Sequence, residues 1–176
     1  MSDNKSIEEY KIAIERLAKN QSDLVFNNSG IEHAAIVLSN IFKNSDVVKI
    51  YANDMNGEIS SQGCYNQSIN EFISRGGNLQ IVLDNITNIS STLRSIINKK
   101  SAEIKISNNE FRDSLKFISK NNQLNYFAVG DNKMVRIEVD NKSHKALCSF
   151  NLPDTGKVLS NFFDTRFAKL ETPAIS

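Results

Sequence analysis

The chain has 176 residues, 40% hydrophobic and 23% charged, which is enough to bury one self-sufficient core and is ordinary for a globular domain. Its formal net charge of +1 excludes an overall electrostatic bias toward nucleic acid or anionic membrane, leaving only a local basic patch as a route to either.

In chain order, Met1-Ser2-Asp3-Asn4-Lys5 is polar and fits no signal peptide, and no apolar run approaches the ~18 residues a bilayer requires. A cytoplasmic protein that does not enter a membrane is therefore expected. A helix is predicted over 6–19, where Ile7, Tyr10, Ile14, Leu17 and Ala18 recur at helical spacing and Ser6-Ile7-Glu8-Glu9 fits a capping box. After a polar break comes a short apolar segment, Leu24-Val25-Phe26. A second helix follows, capped by Ser29, with Ile31, Ala34, Ala35, Leu38, Ile41 and Phe42 on one face. Residues 47–52 read as a strand and 53–66 as a polar loop. Ile69, Phe72 and Ile73 mark a short helix, closed where Gly76-Gly77 supplies a left-handed cap.

A strand over 79–84, a helix through Leu93, Ile96 and Ile97 after Ser90, and a strand over 102–106 repeat the same rhythm. Strands separated by helices imply right-handed crossovers and a parallel sheet. The rhythm then changes. Phe111, Leu115 and Ile118 suggest a brief amphipathic helix, and two apolar runs flank the hairpin signal Gly130-Asp131-Asn132-Lys133. A further strand covers 146–150. Pro153-Asp154 opens a last helix that buries Val158, Leu159, Phe162, Phe163 and Phe167, with a frayed tail from 171. The expected fold class is α/β: a mixed sheet of six to seven strands, parallel at 47–52, 79–84 and 102–106, extended by an antiparallel set over 124–150, with helices on both faces. One domain spans 21–170. The helix of 1–20 packs on it or on a partner.

Three phrases resemble the phospholipase D-type fold. These are His33-Ala34-Ala35 leading into the 46–51 strand, the helix-glycine-strand segment 72–83, and the hairpin Asn125-Tyr126-Phe127-Ala128-Val129-Gly130-Asp131-Asn132-Lys133. The resemblance implies one half of such a fold. That family's signature is His-x-Lys-x-x-x-x-Asp followed by Gly-Ser-x-Asn, in which the histidine attacks phosphorus covalently and the lysine and asparagine bind phosphate oxygens. Anchored on Asp131, the motif puts Leu124 at the histidine and Tyr126 at the lysine. Glu138-Val139-Asp140-Asn141 falls on the second segment, so only Asp131 and Asn141 match. The resemblance thus implies a degenerate single-repeat member, catalytically silent by that route.

Other chemistry is sparse. His33 is expected at the edge of a helix's apolar face, and His144, in the polar turn Asn141-Lys142-Ser143-His144-Lys145, in solvent. A dimer could pair two copies of either histidine, but neither stands on the hairpin strand. Asp46, Asp54, Asp84 and Asp131 lie at or beyond strand ends, the edge where open α/β sheets bind ligands, although strand-ending Asp is also common turn chemistry. Arg136 and Glu138 share one strand face, with Arg112 upstream: an exposed ion pair on one account, a residual anion site on the other. Ligand-binding candidates are Asp54, Asp84, Asp131, Arg136 and Asn141. No metal site and no cofactor are expected, and Cys64 and Cys148 are expected as reduced, buried thiols. The leading expectation is a non-catalytic binding, regulatory or oligomerisation module, from a bacterium or phage to judge by its wealth of Asn, Lys, Ile and Ser. A homodimer or protein partner is anticipated from the apolar first helix and the Phe162, Phe163 and Phe167 cluster. The rivals are a metal-dependent phosphodiesterase or nuclease built on strand-end carboxylates, and a nucleic-acid binder.

Overall fold

A computed structural model describes residues 2–119 and 122–174. Among these the chain forms α1 (Ser2–Lys19), β1 (Phe26–Asn28), α2 (Ile31–Lys43), β2 (Val47–Ala52), α3 (Gly63–Ser74), β3 (Asn78–Leu83) and α4 (Ser91–Asn98). There follow β4 (Glu103–Ile106), α5 (Asn109–Ile118), β5 (Phe127–Gly130), β6 (Met134–Asp140), β7 (Lys145–Ser149) and α6 (Pro153–Phe167). The strands make one seven-stranded sheet in the order β1-β7-β6-β5-β2-β3-β4. β2, β3 and β4 are parallel, and every pairing from β2 through β5, β6 and β7 to β1 is antiparallel.

Period-two alternation sends the two faces of each strand to different cores. Val48, Ile50, Leu79, Ile81 and Ala128 point to a large core beneath α1 to α4. Tyr51, Val82, Phe127 and Val129 point to a smaller one beneath α5 and α6. Lys49, on the second face, is buried and donates to Asp164 at 2.7 Å, tying β2 to α6.

Several local expectations need correction. Ser6 lies inside α1, which starts at Ser2, so it caps nothing. The N-cap of α2 is Gly30, whose φ of 111° is accessible to glycine, rather than Ser29. The predicted loop of 53–66 gives way to helix at Gly63, because Tyr65 and Ser68 join Ile69 and Phe72 on the buried face of α3. Strand β1 carries a weak signal because it is three residues long and pairs only with β7. Val158 is 57% exposed rather than buried.

The surfaces on which self-association was expected are covered within the chain. Ile14 and Ala18 of α1 belong to the large core, and Phe162, Phe163 and Phe167 to the small one. At the C-terminus, Ile106 N–H donates to the Glu171 carbonyl at 3.0 Å and Lys105 Nζ to Thr172 Oγ1 at 2.8 Å. The last two residues of the expected frayed tail, 175–176, lie outside the described residues. No helix among the described residues is long and apolar enough to cross a membrane.

Candidate functional site

The antiparallel pairing of β2 with β5 sets Phe127 opposite Tyr51, so the chain entering β5 lies beside the carboxyl end of β2. The end of β6 and the start of β7 reach the same edge. Here the segment after β2, residues 53–60, lines a pocket of ≈ 220 Å³. Its walls include Leu38, Ile50, Ile59 and Ala128; its polar groups include Asp54, Glu58, Arg136, Glu138, Asn141 and His144. This is the edge at which open α/β sheets bind ligands.

Arg136 and Glu138 share the face turned toward the large core, as period two requires. They are not the exposed pair expected from sequence. Their side chains are 5% and 7% exposed and meet at 2.9 Å. Every nitrogen of the guanidinium is engaged: Nε donates to Asn28 Oδ1 at 3.0 Å, Nη1 to Glu138, and Nη2 to the His144 carbonyl at 3.0 Å. A charge taken this far from water is tolerable only when its hydrogen bonds are satisfied, and β1 supplies Asn28 for that purpose.

His144 also departs from expectation. It is neither free nor fully in solvent. Nδ1 lies 3.2 Å from Glu138 Oε1 and Nε2 lies 2.9 Å from Glu58 Oε2. A carboxylate accepts hydrogen bonds, so two such neighbours favour the doubly protonated ring. The hydrogen bond to Glu138, reinforced by Glu58, pushes its pKa up to about 9 against the cost of burial. The backbone is equally constrained: φ is 54°, and the carbonyl accepts from Asn28 Nδ2 at 2.7 Å as well as from Arg136.

The remaining candidates separate. Asp84 accepts from Tyr51 Oη at 2.9 Å, from Tyr126 Oη at 2.9 Å and from Ser107 Oγ, with Arg112 Nη1 at 3.6 Å. It is a saturated hub; burial and then its carboxylate push both tyrosine hydroxyls to higher pKa. Asp131 lies at the opposite edge of the sheet, where Oδ1 accepts from the Asp46 and Val47 amides at 2.9 Å each and fastens the hairpin to the start of β2. Asp54 lines the pocket and accepts from the Asn56 amide at 3.2 Å. Asn141 donates to the Leu124 carbonyl at 3.0 Å, bringing those two motif positions together. His33 is not among the residues lining the pocket; it stacks on Tyr10 at 3.8 Å, with Nδ1 3.1 Å from Ser29 Oγ, and burial lowers its pKa. Among the described residues no group of three or more His, Cys, Asp or Glu could hold a metal ion.

Sequence reasoning missed Glu58 and Asn28. The first sits in a polar loop with no periodicity and the second in a three-residue strand, so neither position carries a local signal. Their roles come from contacts with His144 and Arg136, 86 and 108 residues away.

No family model matches the sequence, and no curated protein does. Solved structures do. The archaeal chromatin protein TrmBL2, described as showing a novel mode of DNA binding, superposes with a TM-score of 0.60 at 12% identity, over 98% of this chain and 63% of its own. Nuc from Salmonella typhimurium, a phospholipase D family member, gives 0.58 at 13% identity, over 86% of this chain and 100% of Nuc. The phosphatidylserine synthase of Haemophilus influenzae gives 0.53 at 8% identity, over 85% of this chain and 39% of the synthase. The fold is phospholipase D-like. This chain spans less than two thirds of the archaeal protein and well under half of the synthase.

Proposed function

We propose that this chain is a non-catalytic binding module that takes a small molecule into the pocket at the carboxyl edge of its sheet. The observation that carries the reading is the placement of His144 between two carboxylates. A covalent phosphoryl route needs a neutral imidazole with a free nitrogen lone pair. The histidine in this pocket has both nitrogens within hydrogen-bond distance of carboxylates, Glu58 and Glu138, an arrangement that favours the cation. Supporting this, Leu124 carries no nucleophilic nitrogen where the motif has histidine. Tyr126, at the lysine position, spends its hydroxyl on Asp84. Of the carboxylates on which the metal-dependent alternative rests, Asp131 lies at the far edge and Asp84 is saturated, which leaves Asp54 alone of the three lining the pocket. The test is a fragment screen by ligand-observed NMR on the wild type and on Ala128→Leu, which narrows the pocket. Hits confined to the wild type support the reading. Hits unaffected by the substitution place binding elsewhere and refute it.

One observation favours a second reading: a DNA-binding chromatin protein matches 98% of this chain in fold. On that reading a basic face engages phosphates, and affinity for duplex DNA falls steeply with salt. No binding at low salt removes it.

A further inference from the structure

We propose that His144 anchors the carboxylate of a small, apolar monocarboxylic acid bound in this pocket, and that Glu58 occupies the acid's place until it arrives. The inference rests on the pocket being a binding site and names what it binds. Three observations carry it.

The first is preorganisation. His144 is held in a left-handed conformation rare for a non-glycine residue, with its carbonyl fixed by Asn28 and Arg136 and Nδ1 fixed by buried Glu138. A residue constrained from three sides presents its remaining ring nitrogen, Nε2, in one direction. Arg136 is tied to the scaffold, each of its three nitrogens donating inside the protein, which leaves the histidine as the donor facing the half-exposed partner.

The second is the asymmetry between the two partners of His144. The Glu138 side chain is 7% exposed, whereas that of Glu58 is 56% exposed and follows Gly57, whose φ is 114°. Glu138 belongs to the scaffold. Glu58 is a half-solvated carboxylate on a loop, and a pair of that kind contributes little net stability, so a carboxylate better placed in the pocket can replace it.

The third is charge and shape. Apart from three neutral tyrosines, the pocket's ionisable lining is Arg136, Lys142 and His144 against Asp54, Glu58 and Glu138, which balances. Displacing Glu58 leaves a deficit of one negative charge, which a monoanion restores and a dianion exceeds. Leu38, Ile50, Ile59 and Ala128 supply an apolar wall for the acid's body. The volume of ≈ 220 Å³ lies below the ~300–1,000 Å³ of pockets for drug-sized ligands, which restricts the acid to a short branched chain or a single ring.

Titration calorimetry with 4-methylpentanoate, the matching alcohol 4-methylpentan-1-ol and the matching amine tests this on the wild type, Glu58→Gln and His144→Asn. Asparagine is chosen because it tolerates the left-handed backbone. The acid is expected to bind the wild type at least ten-fold more tightly than the alcohol or amine. Glu58→Gln removes the competitor and should bind the acid roughly two- to five-fold more tightly, the opposite of what loss of a merely structural contact produces. His144→Asn should lose the preference for the acid. Should that variant fail to fold, the contrast between acid and alcohol and the gain in Glu58→Gln still decide the matter. Equal binding of acid and alcohol, or weaker acid binding by Glu58→Gln, overturns the anchoring role while leaving the pocket a binding site. Absence of binding by all three probes to both the wild type and Glu58→Gln overturns the inference; a fragment screen that also finds no pocket ligand removes the binding reading beneath it.

Discussion

Replacing Arg136 with methionine keeps the aliphatic volume of the side chain and deletes its charge and donors. Three acceptors lose a partner at once: Asn28 Oδ1, the Glu138 carboxylate and the His144 carbonyl. All three keep a second partner, since Asn28 still reaches the His144 carbonyl, His144 still reaches Glu138, and the Cys148 thiol still donates to Asn28 Oδ1 at 3.5 Å. The dominant cost is a carboxylate 7% exposed and deprived of its closest counter-charge. Breaking a buried pair from one side costs about 3–5 kcal/mol, a large part of the ~5–15 kcal/mol that holds a domain together. For a chain of this size that corresponds to a fall in Tm of about 6–20 °C. Urea denaturation followed by far-UV circular dichroism measures it, and Arg136→Met/Glu138→Leu supplies the control. Removing both partners deletes the stranded charge, so the double variant should recover at least 1 kcal/mol of the loss. A single variant within 0.5 kcal/mol of the wild type, by the same order-of-magnitude scale, would refute the burial of this network.

Three further outcomes are expected. The pKa of His144 rises from 6.5 to about 9 on folding, so its stabilising contribution is fully present below about pH 6.5 and is lost as pH rises through about 9. After discounting the half-exposed Glu58 contact the loss is on the order of 1–2 kcal/mol, and it should vanish from the pH–stability profile of His144→Asn. Gly156→Ala drives a Cβ into the Asn132 carbonyl oxygen, a backbone atom of the hairpin turn that has no rotamer to escape into; a loss of about 1–3 kcal/mol in urea denaturation is expected. Cys148 is buried and its thiol is pushed up to about 12 by burial, so an aromatic disulfide reagent should modify Cys64, which is partly exposed, and reach Cys148 only after unfolding.

Much of the scaffold was legible because its signals are local. Val47–Ala52, Asn78–Leu83 and Glu103–Ile106 announce themselves as β-branched runs separated by amphipathic helices, and Gly130-Asp131 marks the hairpin. Asp131 also has φ of 47°, a conformation that aspartate tolerates better than most residues. The candidate site was legible only in part. Arg136 and Glu138 stood out by their spacing, but their burial goes with partners such as Asn28, 108 residues earlier, which no window around residue 136 encodes. His144 looked solvated because its turn is polar, and the carboxylate that covers it from outside belongs to a loop 86 residues earlier. Asp84 and Asp131 looked alike in sequence. The pairing of strands put one at each end of the sheet, gave the first to two tyrosines and set the second to bonding backbone amides.

The central claim, that the pocket binds without breaking a phosphodiester, is most directly tested by hydrolysis of bis(4-nitrophenyl) phosphate across pH 5–9, with and without added divalent metal. With His144 held as an imidazolium between Glu58 and Glu138 and leucine at position 124, purified protein should release no nitrophenolate above the rate of a heat-denatured control. Release that is sustained by the folded protein and abolished in His144→Asn would contradict it.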